Sequence, residues 1–118
     1  MTVEADIFAA LKDLVSNRVY PDEAPIDATT PYIVYQQVGG DAQTFLERAL
    51  PSKENARFQF SVWSPTRVAS KAMIKQVEDA MVAATAFDAK PIGAPVSASD
   101  SETQLRGSMQ DFSVWSDR

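Results

Sequence analysis

The chain has 118 residues, 45% of them hydrophobic and 23% charged, with a formal net charge of −5 and no Cys or His. That length and apolar content fit one globular domain over residues 1–118 with a single modest core. The missing Cys and His remove disulfides, thiolate chemistry, the commonest general base and the commonest transition-metal ligand, and the acidic balance argues against non-specific adhesion to nucleic acid.

No run of about 18 apolar residues is present, and the N-terminus lacks a basic stretch followed by an apolar core, so neither a membrane span nor a secretion signal is expected. Residues 3–15 place Val3, Ile7, Leu11, Leu14 and Val15 on one stripe, with Glu4 and Asp6 in the first turn where the helix dipole favours them. This predicts an amphipathic helix ended by Asn17 and Arg18. Val19-Tyr20-Pro21 then leads into a polar surface connection over 22–31. Tyr32 to Val38 reads as an interior strand, because apolar residues fall on both faces. Gly39-Gly40-Asp41 turns the chain out of it.

From Ala42 to Asn55 periodicity is lost, and the mixed apolar and charged run Phe45-Leu46-Glu47-Arg48 ends before Pro51. A connection of about a dozen residues between paired strands is long, and is either an ordinary mobile hairpin or a functional segment. Ala56 to Trp63 alternates Phe58, Phe60 and Val62 against Arg57, Gln59, Ser61 and Trp63, the pattern of a half-buried strand. Ser64 is the expected N-cap and Pro65 the first helical residue of a second helix. Its apolar stripe is Ala69, Ser70, Met73, Ile74, Val77, Ala80, Met81 and Ala84, with Arg67, Lys71, Lys75 and Glu78 opposite.

Phe87 to Val96 has strand character that Pro91 and Pro95 confine to an edge or to bulged pairing. A turn over 97–101 precedes a bent strand over 103–115, with Gly107 the expected bulge. The pentapeptide Phe60-Ser61-Val62-Trp63-Ser64 recurs as Phe112-Ser113-Val114-Trp115-Ser116. In each copy Phe and Val share one face, expected in the core, and Trp63 and Trp115 share the other. Those outward tryptophans are to be covered either by a loop such as 40–54 or by a neighbouring subunit, since aromatic anchors are enriched at interfaces. The element order gives an α+β fold, a mainly antiparallel sheet with two helices packed on one face as a two-layer sandwich.

Chemistry finds little to work with. No phosphate-binding glycine loop is present. The carboxylate pairs Asp22/Glu23, Glu78/Asp79 and Asp100/Glu102 each sit by a turn or on a solvated face. Ser61 and Ser113 have no His to activate them, which leaves Lys71 or Lys75 as the only bases. Asp100 and Glu102 lack the ligand count of a calcium loop. No catalytic residue, cofactor or metal is expected.

Several stretches together are similar to the small tail-completion, tail-terminator-like proteins of long-tailed phages and prophages. They are Arg18-Val19-Tyr20-Pro21, Pro25, Pro31 to Val38, Phe58 to Ser64 and Gln110 to Trp115. The resemblance implies a structural virion protein without catalysis, located in the tail neck and in the host cytoplasm during assembly. It implies self-association into a ring, typically hexameric, that caps the tail tube and receives the head connector, with no specific nucleic-acid or membrane partner. The main departure is residues 42–54, where relatives often carry a Gly-containing hairpin tip. The expected partner contacts are Phe45, Leu46, Glu47 and Arg48, for their mixed apolar and charged run, and Trp63 and Trp115, for their outward face. A head-closure adaptor, a small ligand-binding regulatory α+β domain and a weak carboxylate hydrolase are the alternatives.

Overall fold

A computed structural model describes residues 2–41 and 52–118. Its backbone is dominated by two twelve-residue strands, β3 (Lys53–Ser64) and β5 (Arg106–Asp117), paired antiparallel without interruption from Lys53↔Asp117 to Ser64↔Arg106. The remaining strands are β1 (Val19–Pro21), β2 (Tyr32–Gln37) and β4 (Asp88–Ser99), and the sheet order is β1-β2-β3-β5-β4. Only β1 and β2 run parallel. Helices α1 (Val3–Leu11, continued by a single 3-10 turn, Lys12–Leu14) and α2 (Arg67–Ala83) give the expected α+β fold, with the helices on one face of the sheet. The long strands draw the molecule out to 52 × 24 × 23 Å, and its radius of gyration is 15.1 Å. A compact chain of this length would have about 13.5 Å.

Alternation builds the core. Phe58, Phe60 and Val62 of β3, Phe112 and Val114 of β5, and Ile33 and Tyr35 of β2 all point inward and are buried. Ile7 and Leu11 of α1 and Ile74, Val77 and Met81 of α2 meet them. Phe60 and Phe112, equivalent positions of the two pentapeptides, pack edge to face at 5.4 Å between centroids, a favoured geometry for aromatic pairs. Met73, Ala80 and Ala84 pack at the margin of the core, whereas Ala69, expected on the same stripe, is exposed.

Several boundaries differ from the sequence expectation. Val19 to Pro21 is a strand rather than a lead-in, because Val19 pairs with Ile33 and buries its side chain. The first helix loosens after Leu11, and Ser16 and Asn17 take left-handed backbone conformations that end it. Strand β2 stops at Gln37, one residue early, while β3 begins at Lys53, three residues early, where the ladder to β5 continues beyond the apolar alternation. The cap of α2 is Thr66, whose Oγ1 accepts from the Ala69 amide at 3.2 Å. Ser64 is still in β3: its Oγ lies 2.7 Å from both Thr66 O and Ser70 Oγ, and Ser70 Oγ donates to Arg106 O at 2.6 Å. This buried hydroxyl pair ties the start of α2 to the end of the ladder.

Strand β4 is the expected edge, and it continues through Ser99, so the turn starts later than residues 97–101. The bulge lies in β4 and not at Gly107, which pairs regularly with Trp63 and Ala98. Ile92 pairs with Asp111 and Val96 with Met109, so β4 carries two extra residues there, and Gly93 takes φ +75°. Buried Gln110 reaches under this bulge, its Nε2 donating to Gly93 O at 3.1 Å and to Glu78 Oε1 at 2.9 Å. One side chain thereby joins β5, β4 and α2.

Two measurements test this core. Val77 is fully buried, so Val77→Asp places a carboxylate against Phe and Met side chains. The expected loss is about 3 kcal/mol or more, seen as a fall in Tm of more than about 10 °C, and an unchanged Tm would refute the face assignment. Burial pushes the Tyr35 hydroxyl up from 10.0 to about 12, with Glu4 and then Asp22 adding to the shift. The folded state holds this proton more tightly, so the contribution is complete below pH 10 and is lost as pH climbs toward 12. In urea titrations Tyr35→Phe should show less loss of stability across that window than the parent, by no more than about 2 kcal/mol.

Candidate functional site

The inner face of the sheet is filled, which leaves the outer face as the surface on which side chains are not yet fully partnered. The register explains how that face is arranged. The pentapeptide copies lie on antiparallel neighbours, and the pair Gln59↔Asp111 is the point about which one copy maps onto the other. Trp63 and Trp115 sit four positions beyond that pair in opposite directions. Trp63 pairs with Gly107, eight positions from Trp115 on β5, roughly 27 Å at ~3.4 Å per residue. Both tryptophans face outward as expected and both are half-buried, but they form two separate sites.

Between them, part of the outer face is polar and paired within the chain. Arg57 pairs with Asp111 at 2.8 Å, and Asn55 Nδ2 donates to Ser113 Oγ at 2.8 Å. Asn55 Oδ1 accepts from the Asp41 amide at 2.9 Å, fixing the exit of the chain at residue 41. Phe45, Leu46, Glu47 and Arg48 lie outside the described residues.

Trp115 borders a hollow of about 380 Å³ with Lys53, Phe87 and Asp88. Lys53 donates to Asp117 and holds that carboxyl below its ordinary range. Trp63 has a more distinctive setting. A Cβ on Gly107 would stand 2.9 Å from the Trp63 ring, so the indole lies flat over bare backbone that any larger residue would fill. Glycine is used here for close approach and not for a bulge.

The Trp63 ring forms part of the floor of a cleft of about 600 Å³. Its floor also includes Tyr32, Val34, Gln59, Ser61 and Met109. One wall is the connection from β1 to β2. Because those strands are parallel, the chain must return along the sheet to begin β2, and residues 22–26 line the outer face as it does so. The connection is held by Asp22 N donating to Tyr35 O at 2.8 Å and Arg18 Nε donating to Pro31 O at 2.9 Å. Thr30-Pro31 is cis. The opposite wall is the β4–β5 turn, where the Glu102 amide donates to Asp100 Oδ1 at 2.9 Å and Gln104 Nε2 to Ser101 O at 2.7 Å.

Two of the carboxylate pairs that look independent in sequence therefore meet at one place. Asp22 and Glu23 line one wall and Asp100 and Glu102 the other. The third pair does not join them, since Glu78 accepts from Gln110 on the far side of the sheet. Burial raises the Tyr32 hydroxyl above its ordinary value, with Asp100 and then Tyr20 adding to it. Periodicity carries no signal for this convergence, which depends on the parallel β1–β2 pairing. Ser61 and Ser113 lie on the outer face, and Lys71 and Lys75 on a helix against the inner one, so the sheet separates each hydroxyl from the only bases considered for it. Among the described residues no three carboxylates converge as a metal site would require.

The described residues thus form an open cleft with an aromatic floor and an acidic rim. The sequence matches the family model described as "Tail completion protein gp17" over residues 5–117. The chain belongs to that family. As a tail completion protein it is a structural component of a phage-type tail, which makes the virion its place and other virion proteins its partners in assembly. Among solved structures it is similar to a chain of a particle titled "Virion of native gene transfer agent (GTA) particle", with a TM-score of 0.70 and 17% identity over 98% of this chain and 95% of that one. At that identity the likeness establishes the fold. Among curated proteins none matches the sequence.

The Trp63 setting has a direct optical test. In a Trp115→Phe background, which leaves Trp63 as the only indole, Gly107→Val should push the ring off the backbone and shift its emission to the red. The overpacking should cost about 1–3 kcal/mol. Unchanged emission would mean that Gly107 does not support the ring.

Proposed function

We propose that this tail completion protein closes the head-proximal end of a long tail as a ring of six copies, stopping tube growth and presenting the surface on which the head connector docks. The observation that carries this reading is the family match across residues 5–117, nearly the entire chain. Three features support it: half-covered outward aromatics, a cleft without a catalytic arrangement, and a formal charge of −5. Net negative charge suits a ring through which DNA must pass without sticking, because like charge lowers its affinity for phosphates. The segment Phe45-Leu46-Glu47-Arg48 belongs to the proposal as a contact with the tube or with a neighbouring copy, on the strength of its mixed apolar and charged sequence.

Assembly extracts lacking the protein give the test. Adding it back should produce rings at one end of tubes of fixed length in negative stain, and heads should join only to tubes so capped. Rings found on heads and never on tubes would replace this reading with a head-closure adaptor. In the same assay Glu47→Lys combined with Arg48→Glu should reduce joined particles at least tenfold, and normal particles would remove that segment from the contact.

A further inference from the structure

Two sets of charges are left without ion pairs among the described residues, and they are opposite in sign. Helix α2 carries Arg67, Lys71 and Lys75 at four-residue spacing, one row along its exposed side that ends at Asp79. Like charges at that spacing weaken an isolated helix, so the fold itself gains nothing from the row. The three ion pairs of the described residues are Lys53–Asp117, Arg57–Asp111 and Arg118–Glu54, and none involves this row or the rim of the Trp63 cleft. That rim carries Asp22, Glu23, Asp100 and Glu102.

Position makes the two sets a pair. Both lie at the same end of the molecule, because α2 begins four residues after Trp63, yet the sheet stands between them: the cleft opens on the outer face and α2 packs on the inner one. Within one chain they cannot meet. The apolar parts correspond as well. Val68 is 81% exposed beside Arg67 and Lys71, and the cleft offers a floor of Tyr32, Val34, Trp63 and Met109 with Ile26, 97% exposed, at its lip.

We propose that the acidic cleft of one copy receives the Arg67–Lys75 row of α2, with Val68 beside its N-terminal end, from a second copy. The contact rests on the ring reading above and gives it a geometry. Donor and acceptor patches differ, so the contact is heterologous, and such contacts propagate until rotation closes them into a ring. Because the patches occupy opposite faces of the sheet, each copy has one free cleft and one free row, and neither is blocked by use of the other. The cleft is the centre of the contact, not its whole extent, since a stable interface needs about 800 Å² per partner.

The chain has no Cys, so an introduced pair reports only on itself. The variant carrying Lys71→Cys and Glu102→Cys, assembled on tail tubes and oxidised, should run on a non-reducing gel as a ladder of multiples of the monomer. Each single variant alone should remain monomeric, and the two singles mixed should give a dimer. Rings visible in stain without a cross-linked ladder would overturn the cleft contact while leaving the ring. An absence of rings from the unsubstituted protein under the same conditions would overturn both. Linkage of the Glu102→Cys variant to a tube or head protein would assign the cleft to that partner, and self-linkage of the Lys71→Cys variant would make the contact isologous; either overturns the proposal. Charge exchange gives an independent reading. Arg67→Glu with Lys71→Glu should abolish rings, Glu23→Lys with Glu102→Lys should abolish them too, and mixing these two proteins should restore pairing between their exchanged patches. Failure of the mixture to associate would count against the contact.

Discussion

The uninterrupted pairing of β3 with β5 is the constraint from which the rest of the molecule follows. Its register brings Phe58, Phe60 and Val62 alongside Phe112 and Val114 on one face, and that apolar surface needs a cover. Helix α2, launched from the end of β3, supplies the cover, and the Ser64–Ser70–Arg106 contacts fix its starting point. A slip of one residue between β3 and β5 would turn every phenylalanine of one strand outward. The same register puts the two tryptophans at opposite ends of the outer face, because the repeated pentapeptides are related about Gln59↔Asp111.

What can be read from the sequence is what depends on local periodicity. The alternation of β3, the apolar stripe of α2 and the edge position implied by Pro91 and Pro95 are all properties of residues near one another in the chain. β1 escapes because three residues have no measurable period, and what makes them a strand is Ile33, more than a dozen residues away. The cap of α2 is not where the pattern suggests because Ser64 has the chemistry of a cap and uses it elsewhere, on Ser70 and Thr66. At Gly107 the sequence offers a glycine in a strand, which has two uses, a bulge or a close approach. The second holds, and only the Trp63 ring above it decides between them.

The cleft is not legible for a stronger reason. Asp22/Glu23 and Asp100/Glu102 are separated by almost the whole sheet in sequence, and each alone is ordinary surface charge. They meet because a parallel β1–β2 pair forces its connection along the outer face and because β4 and β5 turn beside it. Long-range topology produces the site, and composition contributes only the surplus of carboxylates that lines it.

The edges of the sheet bear on how such a molecule associates. An exposed edge strand invites side-by-side pairing with another copy. Here one edge is β1, only three residues long, and the other is β4, which carries Pro91, Pro95 and a two-residue bulge held in place by Gln110. Proline removes the amide that a neighbouring strand would need, and the bulge breaks the spacing of the remaining ones. Extension of the sheet from copy to copy is therefore disfavoured at both ends. Among the described residues, assembly can instead use the outer face of the sheet and the exposed side of α2. On these two surfaces lie opposite charges that form no ion pair among the described residues.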